Sequence, residues 1–191
     1  MIIGITGGTG CGKTTLLTCI EEKGGLILDC DSIYHRLLQT DTSLLAAIES
    51  RFPEVVENGA LQRKKLGNIV FSDENALSDL NKITHSAVKA EVQLLLAAAP
   101  KLAAIDAIGL FEGDLATLCD TTVAITAPVE TRVQRLMQRD SIPEEYARKR
   151  IAAQRSNEDF SAMCQHTLEN NGDIWQFRAK CLAFLAELGI M

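Results

Sequence analysis

The sequence predicts an α/β fold built on a parallel sheet of about five strands. Short apolar runs alternate with helical patterns along the 191 residues, and this alternation favours a parallel sheet covered by helices on both faces. A glycine-rich stretch, GITGGTGCGKTT at residues 4–15, directly follows the first apolar run. Ligands of such folds bind beyond the carboxyl ends of the strands, so this stretch marks the expected binding site.

Five runs are predicted as strands. The first, Ile2–Thr6, is an apolar run stopped by glycines, as expected of a strand buried on both faces. The other four are residues 26–29, 102–106, 121–126 and 166–170.

Helical patterns fill most of the remaining chain. A helix is expected from Lys13 to the Gly24-Gly25 pair, which is a typical helix stop. Helical character dominates residues 32–99, which we interpret as a helical insertion into a core formed by residues 1–31 and 100–191. Further helices are predicted at residues 129–139, at residues 141–155 and from about Ile174.

Composition limits the classes of function. The chain is 47% hydrophobic and 23% charged, which is typical of a globular protein. A net charge of −6 argues against general affinity for nucleic acid or membranes. Its apolar runs are shorter than the roughly 18 residues of a membrane span, so we expect a cytoplasmic protein, either a monomer or a weak homo-oligomer. The six scattered cysteines form no CxxC pair and are expected to be small buried hydrophobes.

The glycine-rich stretch fits the phosphate-binding loop of P-loop NTPases, Gly7-x-x-x-x-Gly12-Lys13-Thr14, in its required place between a strand and a helix. Its glycines let backbone N–H groups converge on phosphate oxygens. Lys13 is expected to reach the β- and γ-phosphates and the Thr14 hydroxyl to ligate Mg²⁺. The residues predicted to bind ATP here are Gly8, Gly10, Cys11, Gly12, Lys13, Thr14 and Thr15.

Three acidic residues and one cysteine near this loop have more than one interpretation. Asp29 and Asp31 flank Cys30, and in an extended segment both carboxylates would face the cleft. Asp31 then either accepts a proton or helps to hold Mg²⁺, or else it caps the next helix. Asp106 ends the third strand and is a weaker candidate for a second-shell Mg²⁺ contact. Cys11 is either a small filling residue or a thiol whose pKa is lowered by Lys13 and the helix N-terminus.

A basic segment is predicted to form a lid. Residues 132–155 carry a net charge of +4 within an acidic protein. Arg132, Arg135 and Arg139 share one helix face, and their guanidinium groups would neutralise the triphosphate and exclude water. The alternative is a solvated basic surface. We place the lid at residues 135–150, with Arg135 and Arg139 as ATP contacts.

The sequence resembles the dephospho-coenzyme A kinases over nearly its whole length. The opening GITGGTGCGKTT is similar to the family's GLTGGIGSGKST, and Asp29 and Asp31 occupy the acidic positions of its DAD stretch. The segment NGALQRKKLGNIVFSDENALSDLNKITHSAV resembles the family's most diagnostic region. RLMQRD and RIAAQ resemble the family's lid and the segment after it.

The resemblance implies ATP-dependent phosphorylation of the ribose 3′-hydroxyl of dephospho-coenzyme A, the last step of coenzyme A synthesis. It implies that Asp31 is the base, that Lys13 and the loop hold the phosphates, and that Arg139 is a lid arginine. The insertion would form the acceptor side, with Arg63 and His85 among its contacts.

The chain departs from the family pattern at three positions. Ser86 and Ile108 stand where the family usually has proline, and Gln165 stands in place of an acidic residue. Two alternatives therefore remain at this point: another small-molecule or nucleotide kinase on the same scaffold, or a paralogue that binds nucleotide with little catalysis.

Overall fold

The computed structural model describes residues 1–191 and contains the predicted parallel sheet. All four strand pairings in the sheet are parallel, in the order β2-β5-β1-β6-β7. The first strand is therefore central, and the loop that follows it opens at the middle of the sheet's carboxyl edge. The strands are β1 (Ile2–Thr6), β2 (Leu26–Asp29), β3 (Val56–Glu57), β4 (Ala60–Leu61), β5 (Ala103–Asp106), β6 (Thr121–Thr126) and β7 (His166–Glu169).

Nine α-helices and a short 3₁₀ helix (Leu115–Leu118) accompany the strands, and none is long and apolar enough to cross a membrane. Each segment predicted as helical contains at least one helix. The helices are α1 (Lys13–Glu22), α2 (Cys30–Thr40), α3 (Thr42–Arg51), α4 (Arg63–Val70), α5 (Glu74–Ala97), α6 (Val129–Asp140), α7 (Glu144–Ala152), α8 (Asn157–Met163) and α9 (Ile174–Glu187).

The sheet separates two hydrophobic cores. On one face, α1 and α9 pack together and bury side chains such as Leu16, Ile20 and Phe177 against β1 and β6. On the other face, helices α2 to α5 bury side chains such as Ile48 and Val88 against β2 and β5. Burial on both faces explains why β1 and β5 read as continuous apolar runs, whereas the edge strand β7 is mostly exposed.

The segment between β2 and β5 contains four helices and a small hairpin that the sequence pattern did not predict. The hairpin joins β3 to β4 through Asn58 and Gly59, whose φ angles are 52° and 74°. Two consecutive positive φ angles match the turn that an Asn-Gly pair favours in two-residue hairpins. The dipeptide was visible, but strands of two residues are too short to show a period.

Helix α8 is another element that the sequence analysis missed. It has seven residues and begins with a capping box, in which Ser156 and Asp159 exchange side-chain and backbone hydrogen bonds. The helix predicted over residues 141–155 is shorter, Glu144–Ala152, because Pro143 precedes its first turn.

Candidate functional site

The loop after β1 and the first turn of α1 form a binding site for an anion. Gly12 adopts a left-handed conformation (φ 102°) just before α1, and no side chain caps the helix. No acidic residue lies in its first turn. The first N–H groups of α1 therefore lack a protein anion to bind, and with the helix dipole they favour a phosphate at this position.

Lys13 lies in the loop with its ammonium group held near the phosphate position. Nζ donates a hydrogen bond to the Gly7 carbonyl (3.1 Å) and lies 3.8 Å from Asp106 Oδ1. The longer distance is an ion pair rather than a hydrogen bond. Lys13 is thus orientated by weak contacts that a phosphate oxygen can replace.

Asp106 is a partly buried carboxylate that is not fully paired. Its Oδ1 atom is buried without a hydrogen-bond partner. Burial raises its pKa to about 6, and Lys13 opposes that rise. A buried unpaired carboxylate oxygen beside a phosphate loop, with the Thr14 hydroxyl in the same cleft, is a donor set that fits Mg²⁺.

We expect Asp106→Asn to stabilise the nucleotide-free protein above pH 6. The pKa rises from 3.8 to about 6 on folding, so the folded state binds the proton more tightly and stability falls as pH rises across that window. Removing the charge should recover roughly 2–3 kcal/mol above pH 6 and almost nothing below pH 4. Urea unfolding in a chelator, measured from pH 4 to 8, checks this. A gain that does not depend on pH contradicts it.

The tip of the loop is braced by two residues distant in sequence. Arg132 is fully buried, and its Nε donates to the Thr9 carbonyl (2.9 Å). Gln154 Oε1 accepts from Thr9 N (2.8 Å) and from Arg132 Nη2 (3.1 Å). Arg132 therefore supports the loop from beneath, and the expectation that it closes over the triphosphate is wrong.

We expect Gly8→Ala to destabilise the fold by about 2 kcal/mol, because the new methyl group overpacks this brace. A Cβ atom on Gly8 would lie 2.1 Å from Arg132 Nη2, and the buried guanidinium could move only by losing its hydrogen bonds. Gly67→Ala is the control, since its Cβ meets nothing closer than 3.4 Å and alanine favours a helix interior by up to about 1 kcal/mol. Thermal or urea unfolding compares the two, and equal effects contradict the prediction.

Arg135 and Asn170 hold the other end of the loop. Arg135 Nη1 donates to the carbonyls of Gly10 and Cys11 (both 3.3 Å), and its Nη2 donates to Asn170 Oδ1 (3.2 Å). Asn170 Nδ2 donates to the Cys11 carbonyl (2.8 Å). Nothing in the sequence singled out Asn170, Gln154 or this role of Arg132, because all three act across more than 120 residues.

The predicted lid consists of the end of α6, a short turn and α7. Arg139 donates twice to the Asp140 carboxylate (2.7 and 3.1 Å), and Arg150 donates to it once (2.6 Å). These hydrogen bonds lower the pKa of Asp140 to about 2. Both arginines line the phosphate cleft, and their closure over bound ATP stays a prediction.

Cys11 is a buried filling residue. Its side chain is 1% exposed and packs beneath the loop. Burial raises the pKa of the thiol, and the opposing charge of Lys13 does not reverse this. The alternative in which Cys11 has a lowered pKa is therefore wrong.

Asp29 and Asp31 have different roles. Strand β2 ends at Asp29, whose carboxylate caps α2 by accepting hydrogen bonds from the N–H groups of Asp31 (3.0 Å) and Ser32 (3.2 Å). Asp31 lies in the first turn of that helix, and its exposed side chain lines the cleft. The expectation that both carboxylates extend into the cleft from one strand is wrong, and the cap is Asp29 rather than Asp31.

Three adjoining cavities form a groove that leads away from the loop. The phosphate cleft, about 670 Å³, is lined by residues 8–14 with Asp31, Asp106, Ile108, Arg135, Arg139, Arg150 and Gln154 among others. It shares Asp31 and Ile108 with an inner cavity of about 220 Å³, which also contains Tyr34, Asn81 and His85. An outer cavity of about 660 Å³ continues from Asn81 and His85 to Lys82, Ser86 and Lys89.

A phosphate loop, a facing carboxylate and a groove lined by inserted helices are the parts of a small-molecule kinase. The family model for dephospho-CoA kinase matches residues 1–176. The chain belongs to the dephospho-CoA kinase family. It is 34% identical to the dephospho-CoA kinase of Thermobifida fusca, with 97% of this chain and 95% of that one covered. It is 33% identical to the enzyme of Syntrophotalea carbinolica, with 98% and 92% covered.

Solved structures agree with this membership. The chain matches the dephospho-CoA kinase of Campylobacter jejuni with a TM-score of 0.67 and 26% identity, covering 98% of this chain and 96% of that one. A shikimate kinase from Bacteroides thetaiotaomicron gives a TM-score of 0.59 at 17% identity, covering 99% and 98%, and shows the P-loop kinase fold alone. These findings favour the dephospho-CoA kinase family over both alternatives left open by the sequence.

The acceptor-side residues implied by the dephospho-CoA kinase family lie at different distances from the groove. His85 lines the inner and outer cavities, and its Nδ1 is 3.1 Å from the Glu112 carbonyl. Since a carbonyl only accepts, Nδ1 donates a proton in this contact. Arg63 is exposed, outside the lining of these cavities. Its charge partly offsets the rise that burial causes in the pKa of Tyr34.

The three departures from the dephospho-CoA kinase pattern also separate in space. Ile108 lies between the phosphate cleft and the inner cavity, and Ser86 lies in the outer cavity. Gln165 exchanges hydrogen bonds with Thr122 at the amino end of β6 (2.9 and 3.1 Å), at the opposite edge of the sheet from the loop. Gln165 is therefore a structural residue.

Proposed function

We propose that this protein phosphorylates the ribose 3′-hydroxyl of dephospho-coenzyme A with ATP. The observation that carries the proposal is the position of Asp31, where the phosphate cleft meets the inner cavity. A hydroxyl group bound in the inner cavity would meet a γ-phosphoryl group in the cleft at this carboxylate. The family of the chain supplies the identity of the acceptor.

In this reaction Asp31 accepts the proton of the attacking hydroxyl as the γ-phosphoryl group is transferred. Lys13 and the loop N–H groups bind the β- and γ-phosphates, and their charge offsets the charge that develops on the transferred group. Arg139 leaves Asp140 to contact the phosphates when the lid closes, with Arg135 beside the loop. Thr14 and Asp106 would hold Mg²⁺, which neutralises charge on the phosphate oxygens when bound.

The acceptor extends from Asp31 along the groove past His85. Dephospho-coenzyme A is a long molecule, and the adjoining inner and outer cavities give it a continuous surface. The outer cavity contains Lys82 and Lys89 together with Glu74, Glu112 and Asp114, and Lys89 is paired with Asp114, so a phosphate of the acceptor would compete with that carboxylate for the ammonium group. We include Arg63 among the acceptor contacts, reached when the insertion closes on the substrate.

The test is ADP release by the purified protein with ATP and Mg²⁺, in the presence of dephospho-coenzyme A or a panel of nucleosides and nucleotides. Rapid release with dephospho-coenzyme A alone, and coenzyme A as the product, is the expected result. Faster turnover with another acceptor would show that Ser86 and Ile108 mark a changed substrate. Slow release with every acceptor, despite ATP binding, would also contradict the proposal.

A further inference from the structure

Glu112 lies where the acceptor side of the protein meets the end of the lid segment. It belongs to the turn after β5 (residues 108–114), which we call the linking turn, and it lines the outer cavity. Its backbone carbonyl accepts a hydrogen bond from His85 Nδ1 (3.1 Å), and its carboxylate accepts one from Arg155 Nε (2.7 Å). The contact with Arg155 is the only hydrogen bond or ion pair that joins residues 129–156 to the linking turn or to the helical insertion.

Arg155 directly follows Gln154, the residue that braces the tip of the phosphate loop. Gln154 Oε1 accepts a hydrogen bond from Thr9 N (2.8 Å). A relay of five residues therefore connects the two substrate sites, in the order His85, Glu112, Arg155, Gln154 and Thr9. Each step is either one peptide bond or one hydrogen bond of 2.7–3.1 Å. His85 lines the inner and outer cavities and Thr9 lines the phosphate cleft, so each end of the relay lies at one substrate.

The position of the ion pair, rather than its strength, gives it a role. The side chains of Arg155 and Glu112 are 48% and 38% exposed, and an exposed ion pair contributes little to stability. An acceptor bound beside His85 and Glu112 fixes the linking turn, which then holds Arg155 and its neighbour Gln154 in the position that braces the loop. Hydrogen-bond networks of this kind can carry coupling between sites, and coupling of binding is reciprocal.

We propose that the ion pair between Arg155 and Glu112 couples acceptor binding to ATP binding. Arg155 is a positioning residue, because it lines neither the phosphate cleft nor the two acceptor cavities and acts through Gln154 and Glu112. The expected coupling is about fivefold at most, the size of an exposed ion pair. The inference rests on the proposed function only in taking ATP and dephospho-coenzyme A as the two ligands.

The experiment measures the dissociation constant of β,γ-imido ATP with Mg²⁺ by calorimetry, without and with saturating dephospho-coenzyme A. The ratio of the two constants is the coupling factor. In the parent, dephospho-coenzyme A should tighten binding of the ATP analogue by about two- to fivefold. Arg155→Ala should bring this ratio close to one, while kcat with both substrates saturating stays near that of the parent.

Two further variants separate coupling from a general structural effect. Exchanging the charges, with Glu112→Arg and Arg155→Glu together, should restore the ratio that each change alone removes. An effect of the new charge on acceptor affinity cancels, because the ratio is taken within one variant at saturating acceptor. Arg148→Ala is the matched control, since Arg148 is another exposed arginine (43%) that pairs with Glu130 and Glu144 and does not contact the linking turn. It should keep the ratio of the parent.

A coupling factor of one in the parent would overturn the inference, as would an Arg155→Ala protein with the ratio of the parent. A charge-exchanged protein that does not regain the ratio would also overturn it, because the coupling would then depend on other contacts of these side chains. Dephospho-coenzyme A that tightens ATP binding through Arg155 but is not phosphorylated would overturn the proposed function and leave this inference standing. Rapid formation of coenzyme A with a parent ratio of one would do the reverse.

Discussion

Replacing Lys13 with alanine is expected to lower kcat by about 10²–10³-fold or more, the usual cost of removing one group that stabilises charge in a transition state. Nζ lies between the Gly7 carbonyl and Asp106, so the change removes the mobile positive charge next to the transferred group. The fold should survive, because neither contact is a strong hydrogen bond within the core. Steady-state kinetics and a circular dichroism spectrum check both statements.

Lys23→Ala is the control for this change, because Lys23 is an exposed lysine at the other end of the same helix. It should keep the parent rate. A Lys13→Ala protein that is folded and turns over within a few-fold of the parent would show that the loop backbone alone supplies the charge stabilisation.

Replacing Asp31 with asparagine is expected to lower kcat by about 10²–10⁴-fold, the usual contribution of a general base. Asparagine keeps the size of the side chain at the junction of the two cavities but cannot take up a proton from a hydroxyl group. KM for ATP should change little, because Asp31 faces the acceptor side of the γ-phosphate. Initial rates at saturating concentrations of both substrates measure the effect.

Asp29→Asn is a matched control two residues away. Asn caps helices as well as Asp does, so the hydrogen bonds to the N–H groups of Asp31 and Ser32 remain and the rate should stay near that of the parent. Equal losses in the two variants would mean that the carboxylates act together. A near-normal rate for Asp31→Asn would remove the proposed base.

The parts of the fold that the sequence predicted are those whose signals are local. Strand β1, its loop and α1 follow one another within 22 residues, and each has a pattern that side-chain spacing alone explains. Strands β2, β5 and β6 were recognised from their apolar residues, since burial on both faces favours such runs. Strand β7 is mostly exposed, and it was predicted from its place before the last helix. The hairpin and α8 carried an Asn-Gly pair and a capping box, but both are too short to show a hydrophobic period.

The site was predicted less completely, because several of its contacts join residues far apart in the chain. Arg132 and Gln154 form hydrogen bonds with Thr9 across 123 and 145 residues. The spacing of arginines on a helix does not show whether a given arginine supports the loop from below or faces the bound phosphates from above. The different roles of Asp29 and Asp31 depend on where β2 gives way to α2: Asp29 is the last strand residue, paired with Asp106 of β5, and the helix begins at the next residue.

The phosphate cleft and the inner cavity share two residues, Asp31 and Ile108. Mutations elsewhere in the inner and outer cavities can therefore change what is phosphorylated without touching the machinery that handles the triphosphate. Because of this separation, substitutions at positions such as Ser86 can change which acceptor binds, while the residues that bind the triphosphate remain the same. An engineer seeking a new kinase from this chain would randomise the helical insertion and leave the loop alone.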